Sequence, residues 1–225
     1  YGAGCSSAEL NKIVVVALKL SFPNASILVD HDLLGAAYSA YQGQPNITCI
    51  LGTGSNSCFF DGNKLTEAVP ALGFILGDEG SGSYFGKRLI AAHLYGKLPE
   101  KINKDFEDTY GLTMQEIVTN VYVKPYANVY LASFVRFISG YKNEPIFKKM
   151  LHNGMRDFLE THVMCYPDAK NTQINFVGSV AFHFKEAIIS AAEELGLNIG
   201  DVIQRPVDRL VGYHKKYIIK ETIQS

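Results

Sequence analysis

The sequence predicts an α/β protein whose sheet contains both antiparallel and parallel strands. Short apolar segments typical of strands alternate with longer segments typical of helices along the 225 residues. The segments "NITCILG" and "NSCFFDGNKL" follow each other across a glycine-rich turn and predict a hairpin, whereas "QINFVGS" runs directly into a helix. This order of elements indicates an α/β fold with a mixed sheet.

The first 44 residues predict a helix, a strand and a second helix. "SSAELNKIVVVALKLSF" opens with a capping box, Ser6 with Glu9 three residues later, and its apolar positions suit a buried helix. "ASILVD" is a short apolar run that ends in an acid, as expected for a strand of a parallel sheet. "LLGAAYSAYQG" predicts a helix that Gly43 ends.

The remaining residues predict the hairpin, a helical block and a closing strand–helix unit. Asp61-Gly62 marks a second turn after the hairpin, and the helix "YFGKRLIAAHLYG" follows. Residues from about 99 to 166 read as almost wholly helical. The strand "QINFV" precedes the helix "VAFHFKEAIISAAEELG", which Gly196 ends, and "RPVDRLVGYHKKYIIKETIQ" predicts a final helix.

Composition and charge exclude several classes of protein. A hydrophobic content of 47% and a net charge of -1 suit a packed globular chain and argue against a nucleic-acid partner. No apolar run approaches the roughly 20 residues of a membrane span, so the expected location is the cytoplasm. The four cysteines form no CxxC pair and the histidines no HExxH motif, which predicts reduced thiols and no structural metal site.

The tip of the predicted hairpin, "LGTGSN", is the first candidate site. Glycines allow close backbone approach, and several N–H groups with two hydroxyls could hold one anion. The motif lacks the lysine of a Walker A loop, and a strand rather than a helix follows it, which excludes the Walker A and Rossmann motifs. An ordinary Gly/Ser hairpin turn is the competing interpretation.

Two further candidates lie in "GFILGDEGSGS" and "FVGSVAFHF". Asp78 and Glu79, flanked by glycines, could reach hydroxyls of a ligand or cap the next helix, a task that nearby serines could also perform. Gly178 and Ser179 lie between strand and helix, where a helix N-terminus can receive a ligand, although Ser179 could be a plain N-cap. The spacing of the glycines after Glu79 resembles a dinucleotide fingerprint but follows acids instead of a strand.

The fourth candidate is "ILVDHD". Asp30 and Asp32 lie at the carboxyl end of the predicted strand, where open α/β sheets place their sites, and a carboxylate there can act as a general base. Helix capping is the alternative role for these acids. His31 lies between them and is expected to face away from both.

Taken in order, these motifs resemble the N-acetylglucosamine kinases and the related BadF/BadG/BcrA/BcrD ATPases. The resemblance runs from "YGAGC" to about "RPVDRLVGYH", and it rests on "LGTGSN", "GDEGSGSYFGKRLI", "FVGSVAFHF" and the acid before "LLGAA". It implies the two-lobed, ribonuclease H-like fold of the actin-like ATPases. It also implies ATP with Mg²⁺ as cofactors, a small sugar as substrate and no membrane partner, and it allows a homodimer.

The resemblance also implies roles for particular residues. Asp32, with Asp30 as the alternative, matches the base that faces the sugar hydroxyl. The second phosphate loop of the family matches Gly52, Thr53, Gly54, Ser55 and Asn56. The sugar contacts match Gly77, Asp78 and Glu79, together with Asp32. The adenosine-side motif matches Gly178, Ser179 and Val180.

One part of the family pattern has no counterpart in the sequence. The family begins with a first phosphate loop, DxGxTxT-like, and nothing here matches it, so we expect the N-terminal lobe to be incomplete. Residues 1–44 are then a remnant of that lobe, 45–205 the second lobe with a helical insertion at about 99–166, and 206–225 a helix that packs back on the first lobe.

Three functions are compatible with these features. The leading one is ATP-dependent phosphorylation of an amino sugar such as N-acetylglucosamine. A BadF-type activator ATPase is the second, although an iron–sulfur cluster needs suitably placed cysteines. The third is a non-catalytic sugar or nucleotide sensor that retains the fold, an interpretation motivated by the missing first loop.

Overall fold

The structure is a computed structural model that describes residues 1–5 and 7–219. Its strands are β1 Asn46–Leu51, β2 Ser55–Phe60, β3 Leu65–Thr66, β4 Gln173–Val177 and β5 Ile199–Ile203. The helices before β4 are α1 Ala8–Ser21, α2 Asp32–Ala40, α3 Gly73–Leu76, α4 Gly82–Leu94, α5 Glu100–Tyr110, α6 Met114–Val118, α7 Ala127–Ala132, α8 Val135–Gly140 and α9 Pro145–His162. The later helices are α10 Ser179–His183, α11 Lys185–Leu195 and α12 Pro206–Tyr213. Thr119–Val123 and His214–Ile218 form π-helical turns.

The five strands form one mixed sheet in the order β3-β2-β1-β4-β5. β1 pairs antiparallel with β2 and parallel with β4, and β4 pairs parallel with β5. The predicted hairpin and the predicted α/β class with a mixed sheet are therefore confirmed. β5 was not predicted, because "NIGDVI" contains a glycine and an aspartate that weaken a strand pattern.

Helices cover both faces of the sheet. On one face, Ile47, Cys49 and Leu51 of β1 join the main core, which includes residues of α4, the helical block and α9. On the other face, Leu33 and Ala37 of α2 pack with residues of β2 and α12 in a smaller core. β1 is thus buried from both sides, which fixes the position of the turn that follows it.

The helical block between residues 99 and 166 agrees with the sequence prediction. Phe106, Phe134, Phe147 and Phe158, which come from successive segments of this block, are each almost wholly buried. Gly86 of α4 allows this block to pack closely, because a methyl group there would collide with the backbone of Leu131 in α7.

The first 31 residues differ from the prediction in three respects. Residues 26–30 form no strand, and within the described chain the single bridge there joins Gly2 to His31. α1 is capped by Ser7, whose side chain accepts from the Leu10 amide at 3.3 Å, whereas Ser6 lies outside the described residues. α1 also contains no buried residue, so the expected buried helix is wrong.

The final helix packs against α2. The rings of Tyr38 and Tyr213 stack with centroids 4.2 Å apart, and Tyr41 and Tyr217 make an edge contact beside them. The predicted helix is interrupted after Tyr213 by a π-helical turn, and its last residues, 220–225, lie outside the described chain. The lobe boundaries at residues 44 and 205 stay a prediction.

Candidate functional site

A cleft of about 650 Å³ lies at the carboxyl end of β1. It brings together residues that lie far apart in the chain, among them Asp32 of α2, the turn between β1 and β2, and Asp78 of the loop before α4. The cleft is lined by Ala3, His31, Asp32, Leu33, Ile50, Gly52, Thr53, Gly54, Ser55, Asn56, Glu67, Ala71, Asp78 and Asn128. Three of the four candidate motifs therefore face one space.

The β1–β2 turn is held by the N-terminus of α4. The Gly52 amide donates to the Gly54 carbonyl at 2.9 Å and closes the turn. The amides of Gly82 and Ser83 donate to the carbonyls of Gly52 and Thr53 at 2.8 and 3.0 Å. The first turn of α4 thus uses its free N–H groups to fix the backbone of the loop.

Several polar groups of this turn have no partner among the described residues. In the part of the chain that the structure describes, the amides of Thr53 and Gly54 donate to no acceptor. The Ser55 hydroxyl is buried and likewise lacks a partner among the described residues. Unpaired donors at the wall of a cleft suit an anion with several oxygens, so the residues present fit a phosphate group.

Asp78 is joined directly to this turn. Its Oδ1 atom accepts from the Ser55 amide at 3.2 Å, and a methyl group at Gly54 would lie 2.9 Å from its Oδ2 atom. Burial raises the pKa of Asp78 above its ordinary value, while the hydrogen bond from Ser55 opposes that shift. The Asp78 carboxylate thus occupies the space that a side chain at residue 54 would need, which explains the glycine at this position.

Asp32 is the first residue of α2, and His31 caps this helix. His31 Nδ1 accepts from the Leu34 amide at 3.3 Å. The Asp32 carboxylate has no hydrogen bond or ion pair to any described residue, which leaves it available to a ligand. Asp30 instead accepts from the His31 amide at 2.8 Å and does not line the cleft. His31, which the sequence analysis expected to face away, lines the cleft beside Asp32.

Two of the proposed sugar contacts do not line the cleft. Gly77 is buried and absent from the lining, and its amide donates to the Gly73 carbonyl at 2.8 Å. Glu79 points toward α9, where its Oε2 atom lies 3.0 Å from Nε2 of His162. Among the three residues Gly77, Asp78 and Glu79, the structure brings Asp78 alone to the wall of the cleft.

The adenosine-side motif lies beside the β1–β2 turn without facing the cleft. Gly178 has φ 121°, and a methyl group there would collide with the Leu51 carbonyl at the end of β1. Ser179 begins α10 and makes no side-chain capping hydrogen bond, so the interpretation as a plain N-cap is wrong. Val180, the next residue of α10, is buried.

A second cavity of about 620 Å³ lies near the helices that follow this motif. Phe184 and Ala187 contribute to its wall from α10–α11, and several cationic side chains come from the segment around the start of α9. It is lined by Lys142, Asn143, Pro145, Lys148, Lys149, Leu151, His152, Asn153, Phe184, Glu186, Ala187 and Ser190. This cavity was not predicted from the sequence, because Phe184 alone among its lining residues belongs to one of the candidate motifs.

Two polar residues of the first cleft, Glu67 and Asn128, were not predicted from the sequence. Glu67 Oε2 accepts from the Asn56 side chain at 3.1 Å, which links it to the β1–β2 turn. Asn128 comes from α7, in a segment read as helical packing. Neither residue stands in a pattern that distinguishes it from an ordinary surface side chain.

The glycines that imitate a dinucleotide fingerprint are explained by packing. Gly80 has φ 68°, and Gly82 lies against Ala132 and the Gly52 carbonyl. Together with Gly86, they permit close approach of backbone segments, which agrees with setting that motif aside. No group of three or more His, Cys, Asp or Glu side chains in the described residues could hold a metal ion. Within the same residues, every helix is too short or too polar to cross a bilayer.

The chain is similar to known sugar kinases in sequence and in structure. No family model matches the sequence. Over 89 residues, 40% of this chain, the sequence is 33% identical to glucosamine kinase GspK of Vibrio cholerae serotype O1, and this match spans 30% of that protein.

Two solved structures resemble the whole fold. One is a Porphyromonas gingivalis protein provisionally assigned as an N-acetylglucosamine kinase, and its sequence is 40% identical to this chain. The two structures superpose with a TM-score of 0.92, over 97% of this chain and 77% of that protein. The other, from Chromobacterium violaceum and similarly assigned, has 16% identity and a TM-score of 0.64, covering 94% and 75%, and shares the fold alone. The identity and coverage of the first show that the chain belongs to the N-acetylglucosamine kinase family of sugar kinases, which have the actin-like ATPase fold.

Proposed function

We propose that this protein transfers a phosphoryl group from ATP to a hydroxyl of an amino sugar such as N-acetylglucosamine. The observation that carries the proposal is the cleft itself, where Asp32, the Gly52–Asn56 turn and Asp78 face one space. The relatives support the substrate class, since they bear the names of glucosamine and N-acetylglucosamine kinases. Phosphoryl transfer asks a protein mainly to position its substrates and to stabilise charge, and this arrangement suits both tasks.

Asp32 is the group that we propose as the general base. Its carboxylate lines the cleft without a partner among the described residues, so it can accept the proton of a sugar hydroxyl as the new bond forms. Because Asp32 is the first residue of α2, the partial positive charge of the helix N-terminus also stabilises its negatively charged form. Asp78, on the other side of the β1–β2 turn, would accept hydrogen bonds from further sugar hydroxyls.

The β1–β2 turn is the part that we propose to face the transferred phosphate. The unpaired amides of Thr53 and Gly54 and the Ser55 hydroxyl can donate to phosphate oxygens. Because the N-terminus of α4 already fixes this backbone, the donors need no rearrangement when charge develops on the phosphate. Asn56, whose side chain donates to Glu67, lines the cleft beside these donors.

The adenosine end of ATP is proposed to lie beyond Gly178, Ser179 and Val180. The Gly178 turn lies against the end of β1, next to the phosphate-facing turn, and the second cavity opens beside the helices that follow it. Phe184 offers an apolar wall there that suits the adenine ring. This arrangement would place the two ends of ATP on the two sides of the Gly178 turn.

Mg²⁺ is part of the proposal. The ion keeps several waters and is usually held by one or two carboxylates with the substrate phosphates, and Asp32 and Glu67 are acids that line the cleft. When bound, it would neutralise charge on the phosphates. We further propose a cytoplasmic protein and a homodimer, the latter to be tested by light scattering of the purified full-length protein.

A coupled ADP-release assay tests the proposed function. The full-length protein is supplied with ATP, Mg²⁺ and a panel of hexosamines and their N-acetyl derivatives, and sugar-stimulated ADP release is expected for at least one of them. Absence of stimulation across the panel would refute the kinase activity. Sugar binding by calorimetry without any phosphate transfer would instead favour the sensor function.

A further inference from the structure

The side chains of Glu79 and His162 are in hydrogen-bond contact next to Asp78. Glu79 Oε2 lies 3.0 Å from His162 Nε2, and the histidine side chain is only 5% exposed. The Glu79 carboxylate follows Asp78 directly in the chain but points away from the cleft. The Glu79 carboxylate is itself partly buried, and leaving such a group without its partner costs free energy.

His162 is itself firmly held at the end of α9. Its ring stacks on Phe158, with centroids 5.0 Å apart and planes 21° from parallel. Its carbonyl accepts from the Ser57 hydroxyl at 2.5 Å, and that hydroxyl lies 3.1 Å from the Tyr166 hydroxyl. Since Ser57 belongs to β2, the end of α9 is tied to the strand that leaves the phosphate-facing turn.

The loop before α4 needs such support. Asp78 has φ 56°, a left-handed conformation that residues other than glycine rarely adopt, and this costs on the order of 1 kcal/mol or more. Within the described residues, its own contacts are the Ser55 amide on its side chain and the Ser81 amide, at 3.1 Å, on its carbonyl. The next contact along the loop is the Glu79–His162 pair.

We propose that His162 is a positioning residue, which holds Glu79 and thereby aims the Asp78 carboxylate into the sugar-binding cleft. The inference rests on the proposed function, in which Asp78 binds sugar hydroxyls. Loss of the pair leaves the Glu79 carboxylate without its buried partner and frees it to turn toward solvent, which displaces Asp78. The sugar is then bound more weakly, whereas ATP, which does not depend on Asp78, is bound as before.

The experiment compares His162→Phe with His162→Gln in the full-length protein. Phenylalanine keeps the ring contact with Phe158 but removes the hydrogen bond to Glu79, whereas the glutamine amide can restore a donor near the Nε2 position. We expect His162→Phe to raise the KM for the sugar about tenfold, a typical effect of losing one hydrogen bond to a charged group. The KM for ATP should stay within about twofold, and His162→Gln should recover most of the loss.

His93→Phe is the matched control. His93 also contacts a phenylalanine ring, Phe106, with centroids 4.7 Å apart, and bonds a polar side chain, Asn103, at 2.8 Å, but it lies outside the cleft. This variant should leave the KM for the sugar unchanged. The double variant Glu79→Ala/His162→Phe should bind sugar no more weakly than His162→Phe, because both changes remove the same interaction.

The outcomes separate this inference from the proposed function. No sugar-stimulated turnover in the wild-type protein overturns both the function and the inference. An active wild type with an unchanged sugar KM in a folded His162→Phe variant overturns the inference alone. If circular dichroism shows that His162→Phe does not fold, Glu79→Ala carries the same expectation, and a wild-type sugar KM in that variant refutes the positioning role.

Discussion

The Ser55 amide donates to the Asp78 carboxylate at 3.2 Å, and this bond joins the candidate phosphate and sugar contacts directly. The two residues belong to different elements, β2 and the loop before α4, and no side chain separates them, since residue 54 is a glycine. This hydrogen bond fixes the position of the Asp78 carboxylate relative to the turn. In the proposed reaction, this coupling keeps the acceptor sugar and the transferred phosphate in register.

The first prediction concerns the pH dependence of stability at Asp78. Burial is the largest influence on its pKa and raises it above 3.8, with Glu79 acting in the same direction. The Ser55 amide, Lys87 and His162 oppose the shift. Because the pKa is higher in the folded state, the folded protein binds more protons in the window above pH 3.8, so stability should fall as pH rises through it.

Asp78→Asn removes this titration. The melting temperature of the wild type minus that of Asp78→Asn should be highest near pH 3.8 and should decrease toward pH 6. Thermal melts by circular dichroism across this range measure the difference. A difference that instead grows with pH would mean that the Ser55 hydrogen bond outweighs burial and that the pKa is lowered.

The second prediction concerns Gly54. In Gly54→Ala, the new methyl group would lie 2.9 Å from Asp78 Oδ2, so the carboxylate must move out of its position in the cleft. We expect the KM for the sugar to rise about tenfold or more, with stability reduced by about 1–3 kcal/mol through overpacking. Steady-state kinetics and urea denaturation measure the two effects.

Gly212→Ala is the control for this substitution. Gly212 lies in α12, where a methyl group would meet no atom within 4 Å. Alanine is favoured over glycine inside a helix by about 0.5–1 kcal/mol, so this variant should be slightly more stable with unchanged kinetics. Equal sugar KM values in the Gly54 and Gly212 variants would contradict the close contact with Asp78.

Local signals in the sequence suffice to predict most of the helices and strands from residue 46 onward. The hairpin was predictable because glycines and hydroxyls interrupt two apolar strands, and the helical block because its apolar positions keep a helical period. "ASILVD" carries the same apolar signal as a strand, yet residues 26–30 form no strand. A strand requires a pairing partner, and periodicity within one segment does not reveal whether a partner is present.

The candidate site was predictable to the level of motifs but not of side-chain direction. Asp78 and Glu79 are adjacent acids of similar chemistry, and the left-handed backbone at Asp78 sends one to the cleft and the other to His162. His162 and Asn128 reach this region from distant helices, so only tertiary packing places them there. No motif in the sequence could have identified either residue.

The third prediction separates the two candidate bases. Asp32→Asn should lower kcat for sugar phosphorylation by about 10²–10⁴-fold, because an amide cannot accept the hydroxyl proton. The KM for the sugar should change little, since the amide keeps the shape of the carboxylate. Initial rates of ADP release with saturating ATP and varied sugar measure both parameters.

Asp30→Asn is the matched comparison, two residues away. Asp30 accepts from the His31 amide and lies outside the lining of the cleft, and the amide oxygen of asparagine can still accept this hydrogen bond. The kcat of Asp30→Asn should therefore stay within about threefold of the wild-type value. A larger loss of kcat in Asp30→Asn than in Asp32→Asn would show that Asp30, and not Asp32, is the general base.

The fourth prediction concerns Gly178, at the turn between β4 and α10. This residue has φ 121°, and a methyl group added to it would collide with the Leu51 carbonyl oxygen, so Gly178→Ala should suffer both backbone strain and a collision. Gly196 isolates the first effect, because it has φ 67° but open space around it. We expect Gly196→Ala to cost about 1–2 kcal/mol of unfolding free energy, the usual cost of a left-handed conformation for a residue with a side chain.

Gly178→Ala should cost at least about 2 kcal/mol more than Gly196→Ala, because the Leu51 carbonyl belongs to a strand buried on both faces and cannot yield. Urea denaturation of the two variants gives the difference. Since Leu51 leads directly into the phosphate-facing turn, the ATP KM should also rise in Gly178→Ala and not in Gly196→Ala. Equal unfolding free energies for the two variants would show that β1 can move at Leu51. This result would contradict the fixed geometry that we propose for the β1–β2 turn.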